Sequence, residues 1–334
     1  SLDLSKFDTR LVEDMAYMFN DCNFLTSIDG LTKLDTSQVM DMSFMFNYCN
    51  RFNYLDLSGF NTQRVMNMTC MFRYATSLKS LDLSTFKTGD VEDMTGMFYM
   101  CSNLESIKLN FETNYVKSMK DMFSGCSKII SLDLSSFNTE RVEDMSSMFS
   151  QCSKLESLDI SSFNTKKVTN MQYMFRDLSS LKSLDFKNFD TSKVTNMYGM
   201  FFLSSGLTSL DLSSFDTSNV VTTQNMFSNC LSLQHLNVAN FDLTKVTSIG
   251  YMFEKCESLT SLDISKFNTI NIKEMVALFK GCSKLEKVEL GSFNTEKVSS
   301  FSSMFSDCSS LTSLDLSSFR TENLQSMSYM FRGC

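Results

Sequence analysis

Eleven cysteines, 25 methionines, one histidine and a long series of aspartates are the side chains through which this 334-residue chain could do metal, redox or acid–base chemistry. Zinc and dithiol sites need two cysteines within a few residues of each other, and here the closest pair, Cys49 and Cys70, is 21 residues apart. No CxxC motif exists. Ten of the cysteines (Cys22, Cys49, Cys101, Cys126, Cys152, Cys230, Cys256, Cys282, Cys308 and Cys334) recur at one position of a repeating phrase, where other copies carry Ala75, Leu178 and Ser204. A position that accepts Ala or Leu is an apolar pocket, so buried free thiols are expected there. The alternative is disulfides between adjacent copies, since a strand spacing of ~4.8 Å falls inside the allowed Cα separation. An odd total and the displaced Cys70 count against a systematic framework.

His235 is the only histidine, which deprives a catalytic triad or a His-containing metal site of its partners. Neither a Gly-rich phosphate loop nor a GxSxG elbow is present. The residues argue against an enzyme and supply no metal site. The strongest outward pattern is acidic: Asp3, Asp29, Asp56, Asp82, Asp133, Asp159, Asp185, Asp211, Asp263, Glu289 and Asp315 share one position, interrupted by Lys108 and Asn237. Adjacent carboxylates about 5 Å apart repel by roughly 0.8 kcal/mol even in bulk water. Ser or Thr hydroxyls, or bound Ca²⁺, would relieve that repulsion. A row of this kind either attracts basic peptides and cations or is a solvated face in which each Asp bonds a nearby Ser. On the same face a row of Ser157-type residues is broken by Tyr54, His235 and Lys287, and the Asp row by Lys108, Asn237 and Glu289, which concentrates the exceptions at His235, Asn237, Lys287 and Glu289. Together with Asp82, Asp133, Asp159, Asp185 and Asp211 they form the candidate protein-binding residues.

These residues are placed by a repeat. The phrase LDLSSFNTERVEDMSSMFSQCSKLES, Leu132 to Ser157, recurs in thirteen copies starting at residues 2, 28, 55, 81, 107, 132, 158, 184, 210, 236, 262, 288 and 314, nearly always 26 residues apart. A fixed period of this length marks a solenoid. The copy at Ile28 has one residue more and the copy at Ile107 one fewer, both between the LDL and the Thr, which predicts a surface turn there. Leu158 and Ile160 alternate with Ser157, Asp159 and Ser161, the period of a strand. Val142, Met145, Met148, Phe149, Cys152 and Leu155 fall three or four apart, the stripe of a short helix, with Thr139 placed to cap its first turn. Methionine fills the Met145 and Met148 positions, and phenylalanine fills the Phe137 and Phe149 positions as two ladders. All are expected to be core.

The expected fold is therefore α/β: a leucine-rich-repeat solenoid of about thirteen strand-turn-helix units, with a parallel sheet on one face and short helices on the other. A single copy cannot stand alone, because burying about eight apolar side chains gives roughly 12–24 kcal/mol against roughly 26–52 kcal/mol for ordering 26 backbones. Unbroken repetition predicts one elongated domain over 1–334. Neither end looks like a cap, so the chain is expected to be a portion of a longer one.

The string MFSGCSKIISLDL and the pattern MFxxCxxLxSLDLSxFxTxxVxxM resemble the BspA-like leucine-rich repeats and the surface-protein repeats of cell-wall-less bacteria. The resemblance runs the length of the chain, with Ser where better-known members carry Pro after the strand. It implies an extracellular or cell-surface binding protein, in some cases an adhesin, and it brings no catalytic residues.

Composition bounds the partners. A net charge of −8 speaks against nucleic acid, and no apolar run approaches the ~20 residues that span a bilayer. The expected function is a non-enzymatic recognition or adhesion module that binds proteins, basic or host-surface ones among them, through its sheet face and without a cofactor. The alternative is a structural protein whose copies associate end to end into fibres or a surface layer.

Overall fold

A computed structural model describes residues 1–291 and 293–334. They form two compact units, Ser1–Lys167 and Val168–Cys334, each a solenoid of stacked copies. The first unit holds strands β1 (Leu2–Asp3), β2 (Ile28–Asp29), β3 (Ser80–Asp82), β4 (Ser106–Lys108), β5 (Ser131–Leu132) and β6 (Ser157–Leu158). The second holds β7 (Ser209–Asp211), β8 (His235–Asn237), β9 (Ser261–Asp263) and β10 (Lys287–Glu289).

Strands pair in parallel and in register with the repeat: Leu2 opposite Ile28, Ser80 opposite Ser106, Leu132 opposite Leu158, Ser209 opposite His235, and Lys287 opposite Ser261. Each is two or three residues long, and the copies starting at Leu55, Leu184 and Leu314 form none. A second line of parallel bridges runs from Asp41 through Asn67, Asp93 and Ser118 to Asp144 in the first unit. In the second, bridges join Ser248, Glu274, Ser300 and Ser326.

The expected helices do not form, so thirteen strand-turn-helix units are not what the chain builds. Among the described residues the only helical element is a 3₁₀ turn, Leu31–Lys33, in the copy with the extra residue. Gly30 opens that turn with φ 80°, and a Cβ there would lie 2.5 Å from the Ser5 nitrogen. The stripe segment is instead a spiral of turns, as residues 119–126 show. The N–H groups of Met119, Asp121, Phe123 and Gly125 bond the carbonyls of Asp144, Ser146, Met148 and Ser150 in the next copy at 2.8–3.0 Å. The alternate donors Met122, Ser124 and Cys126 close turns onto Met119, Asp121 and Phe123 at 3.0–3.2 Å.

Half of the backbone donors therefore serve the neighbouring copy, where an α-helix would keep them all for itself. Asp121 and Gly125 take left-handed φ values of 56° and 78°, which interrupts any right-handed helical run. The left-handed conformation costs roughly 1–2 kcal/mol at a residue with a Cβ. The bonds between copies offset that cost.

The inward stripe is nevertheless where the spacing put it: Val142, Met145, Met148, Phe149, Cys152 and Leu155 are all fully buried. Turns that each span three residues bring the same positions inward as a helix does. Phenylalanines stack from copy to copy, with Phe46–Phe72 and Phe72–Phe98 ring centroids both 5.7 Å apart in the first unit, and Phe227–Phe253 5.6 Å apart in the second. Interplanar angles of 2–3° make these parallel stacks.

The threonines do not cap. Thr139 donates its Oγ1–H to the Asn164 carbonyl at 3.0 Å and accepts the Asn164 N–H at 2.7 Å, so one buried hydroxyl satisfies both backbone groups of a residue in the next copy. The same double bond joins Thr36 to Asn61 and Thr113 to Asn138, and in the second unit Thr217 to Asp242 and Thr269 to Asn294.

Candidate functional site

The bends of each copy are made by side chains that fold back on the backbone. At the end of the strand position, an aspartate Oδ1 accepts the N–H two residues on: Ser5 to Asp3 at 2.8 Å, Ser161 to Asp159 at 2.9 Å, Ser265 to Asp263 at 2.9 Å. Asp82, Asp133 and Asp211 take the same N–H at 3.1 Å and Asp185 at 3.0 Å, while Asn237 does so for Ala239 at 3.2 Å. Ser84 and Ser135 add their hydroxyls to Asp82 and Asp133 at 2.6 Å. These are Asx turns, the local motif that lets a short polar side chain stand in for a backbone acceptor.

The acidic row thus has a structural task that explains its regularity. Hydrogen bonds from the serine two residues on, hydroxyl first and backbone second, hold Asp133, Asp159 and Asp211 below the ordinary carboxylate range. Asp82 is held down to about 2, by the Ser84 hydroxyl first and then by Lys108, whose Nζ lies 3.0 Å from Oδ2. All of these carboxylates are exposed and ionised at neutral pH, so the strand face keeps its negative charge.

Asp82 ends β3, while Asp133 and Asp159 directly follow β5 and β6, all in the first unit. Asp185 lies in a copy without a strand and is 3.2 Å from the Lys187 ammonium. In the second unit Asp211 ends β7 opposite Asn237 of β8, and His235 of β8 faces Ser209. Lys287 and Glu289 bracket β10 and pair with each other at 2.5 Å.

The fold gathers part of this set. A shallow depression of about 470 Å³ on the outward face of β7, β8 and β9 is lined by Asp211, His235, Asn237, Ser261 and Asp263. All five are exposed, while Leu210 and Leu262 between them point into the core. Lys287 and Glu289 are not among its lining residues, and Asp82, Asp133 and Asp159 belong to the other unit. Chemically the depression offers two carboxylates, an imidazole, an amide and a hydroxyl on a fixed β scaffold. Among the described residues no three His, Cys, Asp or Glu side chains converge to hold a metal ion, and no helix is long and apolar enough to cross a membrane.

The cysteine ladder is built as buried thiols. Every ladder thiol except Cys22, which has no copy before it, donates to the carbonyl of a ladder phenylalanine in the previous copy, as Cys49 does to Phe19 at 3.1 Å, Cys152 to Phe123 at 3.1 Å and Cys282 to Phe253 at 3.0 Å. Ser204 replaces the thiol with a hydroxyl and bonds Phe175 in the same way. Burial pushes Cys101, Cys152 and Cys230 up to about 12, which leaves them without a reactive thiolate.

Two clusters on the turn side escaped the sequence reading. Arg73 lies among Tyr48, Tyr74 and Tyr99 in the first unit, and Arg176 lies against Tyr173 and Phe202 in the second. Their sequence signal is the dipeptide Phe-Arg followed one period later by Phe-Tyr or Phe-Phe. It is visible only when neighbouring copies are read together.

Strands in parallel register, ladders of identical side chains and bonds that run from copy to copy define a repeat-built parallel β-solenoid. The family model described as a Mycoplasma protein of unknown function, DUF285, matches at residues 1–110, 78–184, 157–261 and 248–334, and the chain belongs to that family. No curated protein matches it. Among solved structures, the chain is similar to a leucine-rich repeat protein from Bacteroides ovatus (18% identity, 97% of this chain and 75% of that one, TM-score 0.49). It is also similar to one from Eubacterium ventriosum (16%, 96% and 80%, TM-score 0.42). A third is a leucine rich cell surface protein from Faecalibacterium prausnitzii (15%, 91% and 77%, TM-score 0.42).

Proposed function

We propose that the chain is a non-enzymatic recognition module of a secreted or cell-surface protein, a variant of the BspA-like leucine-rich repeat, that binds basic segments of other proteins through its outward strand face. The observation that supports this most is a division of labour within each copy. Met, Phe, Cys and Thr are spent on the core and on bonds between copies, whereas strand-face aspartates such as Asp82, Asp133, Asp159 and Asp211 are exposed, ionised and fixed by Asx turns. A rigid charged face loses little entropy on binding and steers a partner of opposite charge. The depression around His235 is its most individual spot, because there the Asp row changes to Asn237 and the Ser row to His235 within one β-pair. The repeat motif supports the extracellular location.

A phage-displayed peptide library selected on the immobilised chain tests the reading. Enriched peptides rich in Lys and Arg, with binding that weakens at raised ionic strength and is lost on an Asp211→Asn, His235→Ala, Asp263→Asn variant, are expected. Peptides that bind this variant as well as the parent would overturn it.

A further inference from the structure

The turn side carries a second surface of opposite chemistry. Five of the eight arginines lie over aromatic rings, and two of those sites share the same key positions. In the first unit the Tyr48 and Tyr74 rings stack at 4.5 Å and 16°, and Tyr99 meets Tyr74 edge-on at 5.4 Å. The Arg73 guanidinium carbon sits 5.9, 5.0 and 5.4 Å from the centroids of Tyr48, Tyr74 and Tyr99. In the second unit Tyr173 meets Tyr198 at 5.2 Å and Phe202 at 6.3 Å, and Arg176 lies 5.4 Å from Tyr173 and 5.8 Å from Phe202.

The shared positions are legible in the repeat. Arg73 and Arg176 both follow a ladder phenylalanine, and one period later the same position holds Tyr99 or Phe202. Two residues before that next ladder phenylalanine stand Gly96 and Gly199, the only glycines among the thirteen copies at this position. A Cβ on Gly199 would lie 2.4 Å from the Tyr173 ring, and one on Gly96 would lie 3.0 Å from the Cys70 sulfur. Arginine, next-copy aromatic and next-copy glycine thus occur together twice, in two separate units. Drift in a single copy does not produce that coincidence.

Among the described residues neither guanidinium forms an ion pair or donates a hydrogen bond, and the Nε of Arg176 is buried without a partner. Asp121 feels the Arg73 charge only as a lesser influence beside the burial that raises its carboxyl, and no ion pair joins the two, while Asp177 accepts from the Ser179 hydroxyl at 2.9 Å. The rings leave an arginine fork held in place with its donors unmet, and a carboxylate matches that fork with two parallel bonds. Tyrosine and arginine are also the residues that dominate protein–protein contacts.

We propose that the Arg73 and Arg176 clusters are docking sites for acidic polypeptide segments, with an Asp or Glu carboxylate on the guanidinium and the peptide's apolar stems on the tyrosine rings. One arginine per cluster suits one carboxylate. A polysulfate or nucleic acid needs a row of cations, which a chain of net charge −8 does not supply here. The surface is separate from the strand face and independent of the function proposed for it.

Fluorescence anisotropy with labelled hexaglutamate, hexalysine and heparin hexasaccharide tests this on the full chain. Saturable hexaglutamate binding is expected, weakened by about tenfold or more in the Arg73→Ala, Arg176→Ala variant. The Arg73→Lys, Arg176→Lys variant keeps charge and stem, so it guards against misfolding and should show a smaller loss. Asp211→Asn, Asp263→Asn should leave hexaglutamate binding unchanged. Absence of saturable hexaglutamate binding, indifference to both arginine variants, or binding of heparin in its place would overturn the proposal.

Discussion

Thr139 and Asn164 are joined by two hydrogen bonds through one hydroxyl, the Oγ1–H to the Asn164 carbonyl at 3.0 Å and the Asn164 N–H back to Oγ1 at 2.7 Å. This pairing explains why a hydroxyl recurs at a fully buried position where an apolar side chain would pack as well. Thr139→Val keeps the shape and removes both bonds. Leaving a buried donor and acceptor unmet costs about 1–3 kcal/mol per group, so urea unfolding should show a loss on the order of 2–6 kcal/mol. A change no larger than that of an exposed Ser→Ala control would contradict the assignment.

The thiol ladder predicts a sharp difference in reactivity. Cys334 is exposed and Cys22 half-buried, while the other nine cysteines are buried. A thiol reagent at neutral pH should label Cys334 at once and Cys22 slowly, and it should reach all eleven only on denaturation. Because burial raises the folded pKa above the ordinary 9.0, to about 12 for Cys152, stability is complete below pH 9 and falls as the pH rises toward 12. Rapid native labelling of Cys152 would refute the buried ladder.

Acid acts through the Asx turns. Asp82 is held at about 2 against an ordinary 3.8, so its contribution is present above about pH 4 and is lost as the pH falls through about 2. Melting temperature should therefore drop across that window. The Ser84 hydroxyl is the larger cause and Lys108 the smaller, so carbon-detected NMR titration should show Ser84→Ala raising the Asp82 pKa more than Lys108→Ala does. The reverse order would place Lys108 as the dominant partner.

Calcium should leave the fold unmoved. Ca²⁺ needs six to eight oxygens, whereas nearly every strand-face aspartate, Asp133 and Asp159 among them, already commits an oxygen to its own turn. Millimolar Ca²⁺ is expected to leave the melting temperature unchanged, and a rise that disappears in Asp133→Asn, Asp159→Asn would show that the row holds cations.

What the sequence disclosed and what it hid follow from the same repeat. The inward stripe from Val142 to Leu155 was legible because burial depends on which residues point inward, and turns that each span three residues present the same positions as a helix does. The turns themselves were not legible, because left-handed positions such as Ser147 and Gln151 carry no glycine to mark them. Thr139 read as a cap because its partner, Asn164, lies a copy away and leaves no local trace. The Asp row was legible as an outward face, and its Asp-x-Ser spacing is the Asx turn itself. The arginine–aromatic clusters were hidden because Arg73 and Tyr99 meet only when copies stack.

Recognition of basic protein segments by the strand face around His235 is tested most directly by hydrogen–deuterium exchange with and without a selected basic peptide. Protection is expected at 209–211, 235–237 and 261–263, with the turn segments 173–177 and 199–203 unchanged. Protection confined to the turn segments, with the β7, β8 and β9 amides unaffected, would contradict it.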